Sequence, residues 1–161
     1  MGGSNDQYTA DAVSIRLAVA ADAGTIAEFN RALARETEGK ELDLATVTNG
    51  VTRFLHGAAA GFYIVAEIGE RVIGCLMITH EWSDWRDGNM WWIQSVYVPA
   101  TARRQGVFRA LHAWVVEQAE ADPDVCGLRL YVEHENKRAR TTYESLGMKQ
   151  EPYLIYEMSV R

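Results

Sequence analysis

The sequence predicts an α/β fold: a mixed, mostly antiparallel central sheet with helices on both faces. Two observations carry this. Three segments of strand-like residues follow one another across short turns, which is the pattern of hairpins. A segment with a helical apolar period then separates two further strand-like runs, which is the pattern of a crossover. Length and composition set the scale. The chain has 161 residues, 48% of them hydrophobic, enough for one domain with one core.

The elements follow in order. Val13 to Ala18 (VSIRLA) reads as a short strand, with Ile15 and Leu17 on one face. Asp22 is placed to cap a helix through about Glu36, whose stripe is Ile26, Phe29, Leu33 and Ala34. Gly39 and Lys40 break it. Leu44 to Leu55 is a second helix, with Leu44, Val47, Val51 and Leu55 in register. Phe62 to Ile68 and Arg71 to Thr79 are strands joined at Gly69-Glu70. Trp82 to Asn89 reads as a turn and Trp91 to Val98 as the returning strand. A helix runs to Ala121 and stops at Asp122-Pro123. Cys126 to Val132 is a strand, Asn136 to Leu146 a helix closed by Gly147, and Tyr153 to Val160 a last strand. Residues 1–12 are small and polar and read as a flexible tail, leaving 13–161 as a single domain.

Composition narrows the function. The net charge is −6, so nucleic acid, whose phosphates reward Lys and Arg, is not an expected partner. A negative field favours a cationic substrate instead. No apolar run is long enough for a membrane span, and residues 1–12 lack the charged and apolar regions of a signal peptide, so a cytoplasmic protein is expected. Cys75 and Cys126 sit in apolar runs and read as buried free thiols. His56, His80, His112 and His134 show no metal-ligand spacing, and no metal is expected. His112 reads as a surface or interface residue. No GxxxxGK[ST], HExxH or GxSxG motif occurs.

The junction between the strand ending at Val98 and the next helix carries chemistry. It reads Arg103-Arg104-Gln105-Gly106-Val107-Phe108. The first turn of a helix has backbone N–H groups without partners and a partial positive charge. Phosphate bound there gains several hydrogen bonds with no side chain involved. Gly106 allows close backbone approach, and Arg103 and Arg104 can add charge-assisted bonds. An ordinary helix start with two solvated arginines fits the segment equally well.

A second segment tips that balance. Asn136-x-x-Ala139 precedes Tyr143, and Leu146-Gly147-Met148 follows. Together with Val96-Tyr97-Val98 and Arg103-x-x-Gly106, this resembles the GNAT superfamily of acyl-CoA-dependent N-acetyltransferases. The resemblance runs from about Val13 to the end. The family pattern is Gln/Arg-x-x-Gly-x-Gly/Ala, beginning five residues after the strand's last valine. Phe108 replaces its final small residue and narrows the space near a pyrophosphate. The resemblance implies acetyl-CoA as co-substrate. The strand Val96-Tyr97-Val98 would pair with the pantetheine arm, chiefly through the Val96 and Val98 backbones. Amides of Arg103, Arg104, Gln105, Gly106, Val107 and Phe108 would hold the pyrophosphate, and Asn136 would lie near the pantetheine or thiol. Tyr143 matches the family's frequent general acid, which protonates the departing thiolate. The competing account is an inward aromatic of an amphipathic helix; the place of Tyr143 between Ala139 and Leu146-Gly147 favours the acid. No covalent enzyme intermediate is implied; the amine attacks the thioester directly.

The sequence departs from the family at the base. Many relatives carry glutamate two residues before the position of Val96; here Gln94 stands there. Glu81, Asp84, Glu133 and His134 are substitutes. For the acceptor, His80 to Trp92 (HEWSDWRDGNMWW) holds four of five tryptophans beside carboxylates. Indole faces and carboxylates suit a cation, so Glu81, Trp82, Asp84 and Trp85 are candidate substrate contacts. Core or interface packing of the tryptophans is the competing account. Glu36, Glu38 and Glu41, between the first two helices, add negative charge. The expected activity is acetyl transfer from acetyl-CoA to a primary amine, of a small molecule first. A protein amine is an alternative acceptor, and a non-catalytic acyl-CoA-binding or regulatory domain an alternative function. A homodimer is expected from the resemblance.

Overall fold

The computed structural model describes residues 13–160; the tail expected over residues 1–12, and Arg161, lie outside the described residues. The chain forms two compact units, one up to Leu130 and one from Tyr131 onward.

In the first unit the order is β1 (Ser14–Leu17), α1 (Ala23–Glu38), α2 (Leu44–Leu55), β2 (Gly61–Ile68), β3 (Arg71–Ser83), β4 (Gly88–Tyr97), α3 (Val107–Ala121) and β5 (Val125–Arg129). The second unit holds α4 (Lys137–Ser145). The five strands make one sheet in sequence order. Every pairing is antiparallel except β4–β5, which is parallel and is connected through α3. A parallel neighbour needs such a crossover, whereas the β2–β3 hairpin turns tightly at Ile68↔Arg71.

Strand alternation divides the core into two layers. Ile64, Leu76, Ile78, Trp91 and Ile93 pack with Val107, Leu111 and Val115 of α3. Tyr63, Val65, Cys75 and Tyr97 face the other way, against Ile26 and Ala27 of α1 and Val51 of α2. Residues two apart on a strand share a face, so one sheet serves both layers. Burial pushes the Cys75 thiol up to about 12, which leaves it inert. Cys126 is a free, half-buried thiol rather than a fully buried one.

Several expectations need correction. Asp22 does not cap α1. Its backbone is already helical, and its buried carboxylate takes 2.8 and 3.0 Å bonds from Arg16 and one of 2.8 Å from the Val19 N–H. Arg16 also reaches Glu67 at 2.9 Å, so the carboxylate ties the start of α1 to β1 and β2. The hairpin β3–β4 extends to Ser83↔Gly88, further than the composition of WSDWRDGN suggested. β5 is shorter than expected, and Tyr153 to Val160 is exposed and forms no strand. Apolar alternation gives a segment a face but not a ladder partner, and a strand needs both. His112 is buried rather than superficial. Desolvation holds its pKa below the ordinary histidine value, and its Nε2 has no partner among the described residues.

Candidate active site

The site begins where β4 outruns β5. The parallel ladder stops at Trp92↔Arg129, while β4 continues from Ile93 to Tyr97. On its other side β4 stays paired with β3 through a bulge. Met77 faces Gln94 and Cys75 faces Tyr97, so Ser95 and Val96 both stand opposite Leu76. Ser95 takes a left-handed φ of 48° there, a conformation that costs a non-glycine residue about 1 kcal/mol or more. The bulge bends the end of β4, and among the described residues Ile93 to Tyr97 have no ladder partner on the β5 side.

Beyond Val98 the chain makes a short 3-10 turn at Ala100–Ala102 and reaches α3 through Arg103 to Gly106. Gly106 caps α3 with φ 80° and offers no side-chain cap bond. The first helical bond is Ala110 N–H to Gly106 O at 2.9 Å, so the amides of Val107, Phe108 and Arg109 precede it. A Cβ at Gly106 would meet no protein atom within 4 Å; it would project into open space. One residue on, Val107 is buried over Gly74, where a Cβ would lie 3.1 Å from the valine methyl. The missing side chain at Gly74 is what lets α3 seat its first turn on β3.

The side chains of this turn face several ways. Arg104 is exposed, with φ 62°. Gln105 folds back to donate to Thr101 O at 3.0 Å. Phe108 packs on the α3-side core, 6.0 Å from the His112 ring. Arg103 turns inward: Nε donates to Val98 O at 2.8 Å and Nη2 to Glu36 Oε2, with the guanidinium 5.7 Å from the Tyr97 ring centre. Tyr97 donates its hydroxyl to Glu36 Oε1 at 2.7 Å. Arg103, then Tyr97, hold the Glu36 carboxyl below the usual carboxylate range. Burial, then the Glu36 carboxylate, push the Tyr97 phenol up.

The end of β4 is thus followed by a helix start led by Gly106. The profile of the Acetyltransferase (GNAT) family matches residues 26–148, most of the chain. The chain belongs to the GNAT acetyltransferase family. As such it is an acyltransferase, and its family uses acetyl-CoA. Among solved structures it is similar to "a possible acetyltransferase from Clostridium difficile 630", with 46% identity and a TM-score of 0.86 over 92% of this chain and 98% of that one. It also has the fold of a predicted acetyltransferase from Clostridium acetobutylicum solved with acetyl-CoA, at 16% identity and TM-score 0.73 over 91% of this chain and 96% of that one. A ribosomal-protein-alanine N-acetyltransferase from Brucella melitensis biovar Abortus 2308 shares the fold at 17% identity and TM-score 0.74, over 93% of this chain and 100% of that one. No curated protein matches the chain.

In the second unit of this GNAT chain, Asn136 caps α4: its Oδ1 accepts the Ala139 N–H at 3.1 Å. Tyr143 is half-buried on α4, and burial raises its phenol above the ordinary tyrosine value. Glu133 and His134 are exposed, and Glu133 accepts the Glu135 N–H at 2.8 Å.

The four expected acceptor contacts do not come together. Glu81 lies on the α1/α2 face, where it accepts from Trp92 Nε1 and pairs with Arg129 at 3.2 Å. The Arg129 guanidinium sits 5.5 Å from the Trp92 ring centre. Trp82, next along the strand, belongs to the opposite face and is 59% exposed. Asp84 is exposed in the turn, and Trp85 is 90% exposed. Trp91 is core, stacked on His80 and edge-on to Phe62. Gln94 donates to Thr79 Oγ1 on the same face as Glu81.

Other groups near the bulge carry no motif. Tyr63 is buried, and its hydroxyl accepts from Asn30 Nδ2 at 3.2 Å and also bonds the Ser95 side chain. The Asn30 Oδ1 is buried without a partner among the described residues. Sequence reading passed over Asn30, Tyr63 and Arg129. The polar ends of the first two are the only signal, since each otherwise reads as part of an apolar stripe. Among the described residues, no three His, Cys, Asp or Glu side chains cluster as metal ligands, and no helix is long and apolar enough to cross a membrane.

Proposed function

We propose that this protein transfers the acetyl group of acetyl-CoA to the primary amine of a small molecule. The observation that supports this most is the start of α3, led by a left-handed Gly106 that offers no side-chain cap and has open space over its α-carbon. Phosphate oxygens accept from the first amides of a helix, and a bare α-carbon lets them approach. On this reading the amides from Arg103 to Phe108 hold the pyrophosphate, and the open edge at Val96 takes the pantetheine as an added strand. The Val98 carbonyl is already bonded to Arg103, so Val96 carries more of that pairing.

The chemistry is one displacement. The amine nitrogen attacks the thioester carbonyl, and the C–N bond forms. The tetrahedral intermediate collapses, the C–S bond breaks, and the sulfur takes a proton from the Tyr143 phenol. Its raised pKa keeps that phenol protonated at neutral pH. Asn136 stands at the head of the helix that carries it. Gln94 cannot take a proton, so the proton that the nitrogen of a neutral amine sheds once the C–N bond has formed passes to water, and a proton from water restores the Tyr143 phenol. The net charge of −6 favours small cationic amines over nucleic acid, and the reading places the enzyme in the cytoplasm.

Thiol release with a panel of small amines tests the activity, and a peptide with a free N-terminus in the same panel tests the other acceptor class. Tyr143→Phe is expected to lower kcat about a hundredfold with little change in CoA affinity. The wild-type kcat is expected to hold through the ordinary tyrosine range and to fall only beyond it, since burial raises the Tyr143 phenol. Full activity of Tyr143→Phe would remove Tyr143 as the acid.

A further inference from the structure

We propose that Arg103 and Glu36 form a clasp that positions the diphosphate-binding turn, with the Arg103 side chain acting on the backbone rather than as a phosphate ligand. The inference rests on the acetyl-CoA reading of that turn.

Four contacts close the clasp. Glu36, in the last turn of α1, accepts from the Tyr97 hydroxyl with one oxygen and from Arg103 with the other. Arg103 Nε holds the Val98 carbonyl at 2.8 Å, and the guanidinium stands over the Tyr97 ring. Tyr97 is in turn packed in the α1/α2 layer, 5.3 Å from Phe29. The chain leaves β4 at Val98 and enters α3 at Val107. One guanidinium therefore grips the turn at its first residue, at Arg103 itself, and on α1. The planar fork of arginine suits a carbonyl and a carboxylate at once; a lysine ammonium on a flexible stem does not replace it. Tyr97 and Glu36 lie on separate elements, so the clasp fixes the turn to the fold before any ligand arrives. Preorganised amides then spend little binding energy on ordering the turn.

This makes Arg103, Glu36 and the Tyr97 hydroxyl positioning groups, and two measurements test it. The first uses the protein without CoA. In Glu36→Gln, amide exchange over residues 100–106 is expected to quicken about three- to tenfold, with β2 and β3 unchanged. Unchanged exchange in the turn would overturn the clasp, whatever the ligand proves to be. The second compares variants by CoA affinity and kcat. Glu36→Gln and Arg103→Lys are each expected to weaken CoA binding about three- to tenfold while kcat at saturating acetyl-CoA holds, and the double variant is expected to lose less than the product of the two. If Arg103→Lys binds as wild type while Arg103→Gln does not, the charge acts on phosphate and the clasp is wrong. Tighter binding by Glu36→Gln would also overturn it, since Glu36 would then be a competitor for the arginine. A wild-type protein that binds no CoA would refute the acetyl-CoA reading, while the exchange measurement would still decide the clasp.

Discussion

Two helix starts in this chain follow opposite rules. α4 begins with Asn136, whose side chain accepts the Ala139 N–H at 3.1 Å, and so it satisfies one of its own amides. α3 begins with Gly106, which has no side chain to offer, and its first amides precede any helical bond. α2 sides with α4: Asp43 accepts the Thr46 N–H at 2.7 Å. The contrast is between helix starts capped by a side chain and one led by a glycine. A helix that supplies its own cap needs no partner at that end. One led by a left-handed glycine, seated on the sheet through Val107 and Gly74, has no side-chain cap, and on the proposed reading a phosphate takes that place.

The start of α1 gives the largest expected effect. Asp22→Ala removes a buried carboxylate and leaves Arg16 with Glu67 as its remaining acidic partner, and is expected to cost about 3 kcal/mol of stability in denaturant unfolding. A loss under about 1 kcal/mol would mean that the carboxylate works as no more than an ordinary cap. Gly106→Val comes next. Its left-handed φ and the Cβ placed in the open space are expected to weaken CoA binding at least about thirtyfold, with only about 1–2 kcal/mol of stability lost. Asn136→Ala and Asp43→Ala are each expected to cost about 1 kcal/mol of stability, and Asp43→Ala to leave CoA affinity unchanged. A loss of CoA affinity in Asp43→Ala would erase the distinction between the two kinds of helix start.

The smallest effect is a pH dependence. Arg16 holds the Asp22 carboxyl below its ordinary value, as Arg103 does for Glu36. A carboxylate whose folded pKa is depressed contributes stability that is complete above the unfolded pKa and is lost as pH falls through the folded one. The melting temperature is therefore expected to hold from neutral pH to about pH 5 and to fall below about pH 4. Asp22→Asn should flatten that fall; an unaltered slope would assign acid sensitivity elsewhere.

How far the sequence foretold these features depends on the range of the interaction. β2, β3 and β4 were legible because each is a largely apolar run, buried on both faces and set off by turn residues, and α2 because Leu44, Val47, Val51 and Leu55 keep one period. The Arg103 to Phe108 turn was legible because its chemistry is local. The clasp was not: Glu36 and Arg103 are 67 residues apart, and nothing near either names the other. Glu81 looked like a cation contact for the same reason, its partner Arg129 lying 48 residues away. The Ser95 bulge was hidden because serine carries no mark of a left-handed φ. Asp22 had the right chemistry for a cap but was claimed by Arg16, a contact that only the return of β1 onto β2 creates.

The measurement closest to the central claim is calorimetric titration with CoA of the wild-type protein and of Gly106→Val, both shown to be folded. The glycine-led start of α3 predicts saturable binding by the wild type and at least about thirtyfold weaker binding by the variant. Equal affinity in the two, or no binding by the wild type, would contradict a diphosphate cradle between Arg103 and Phe108.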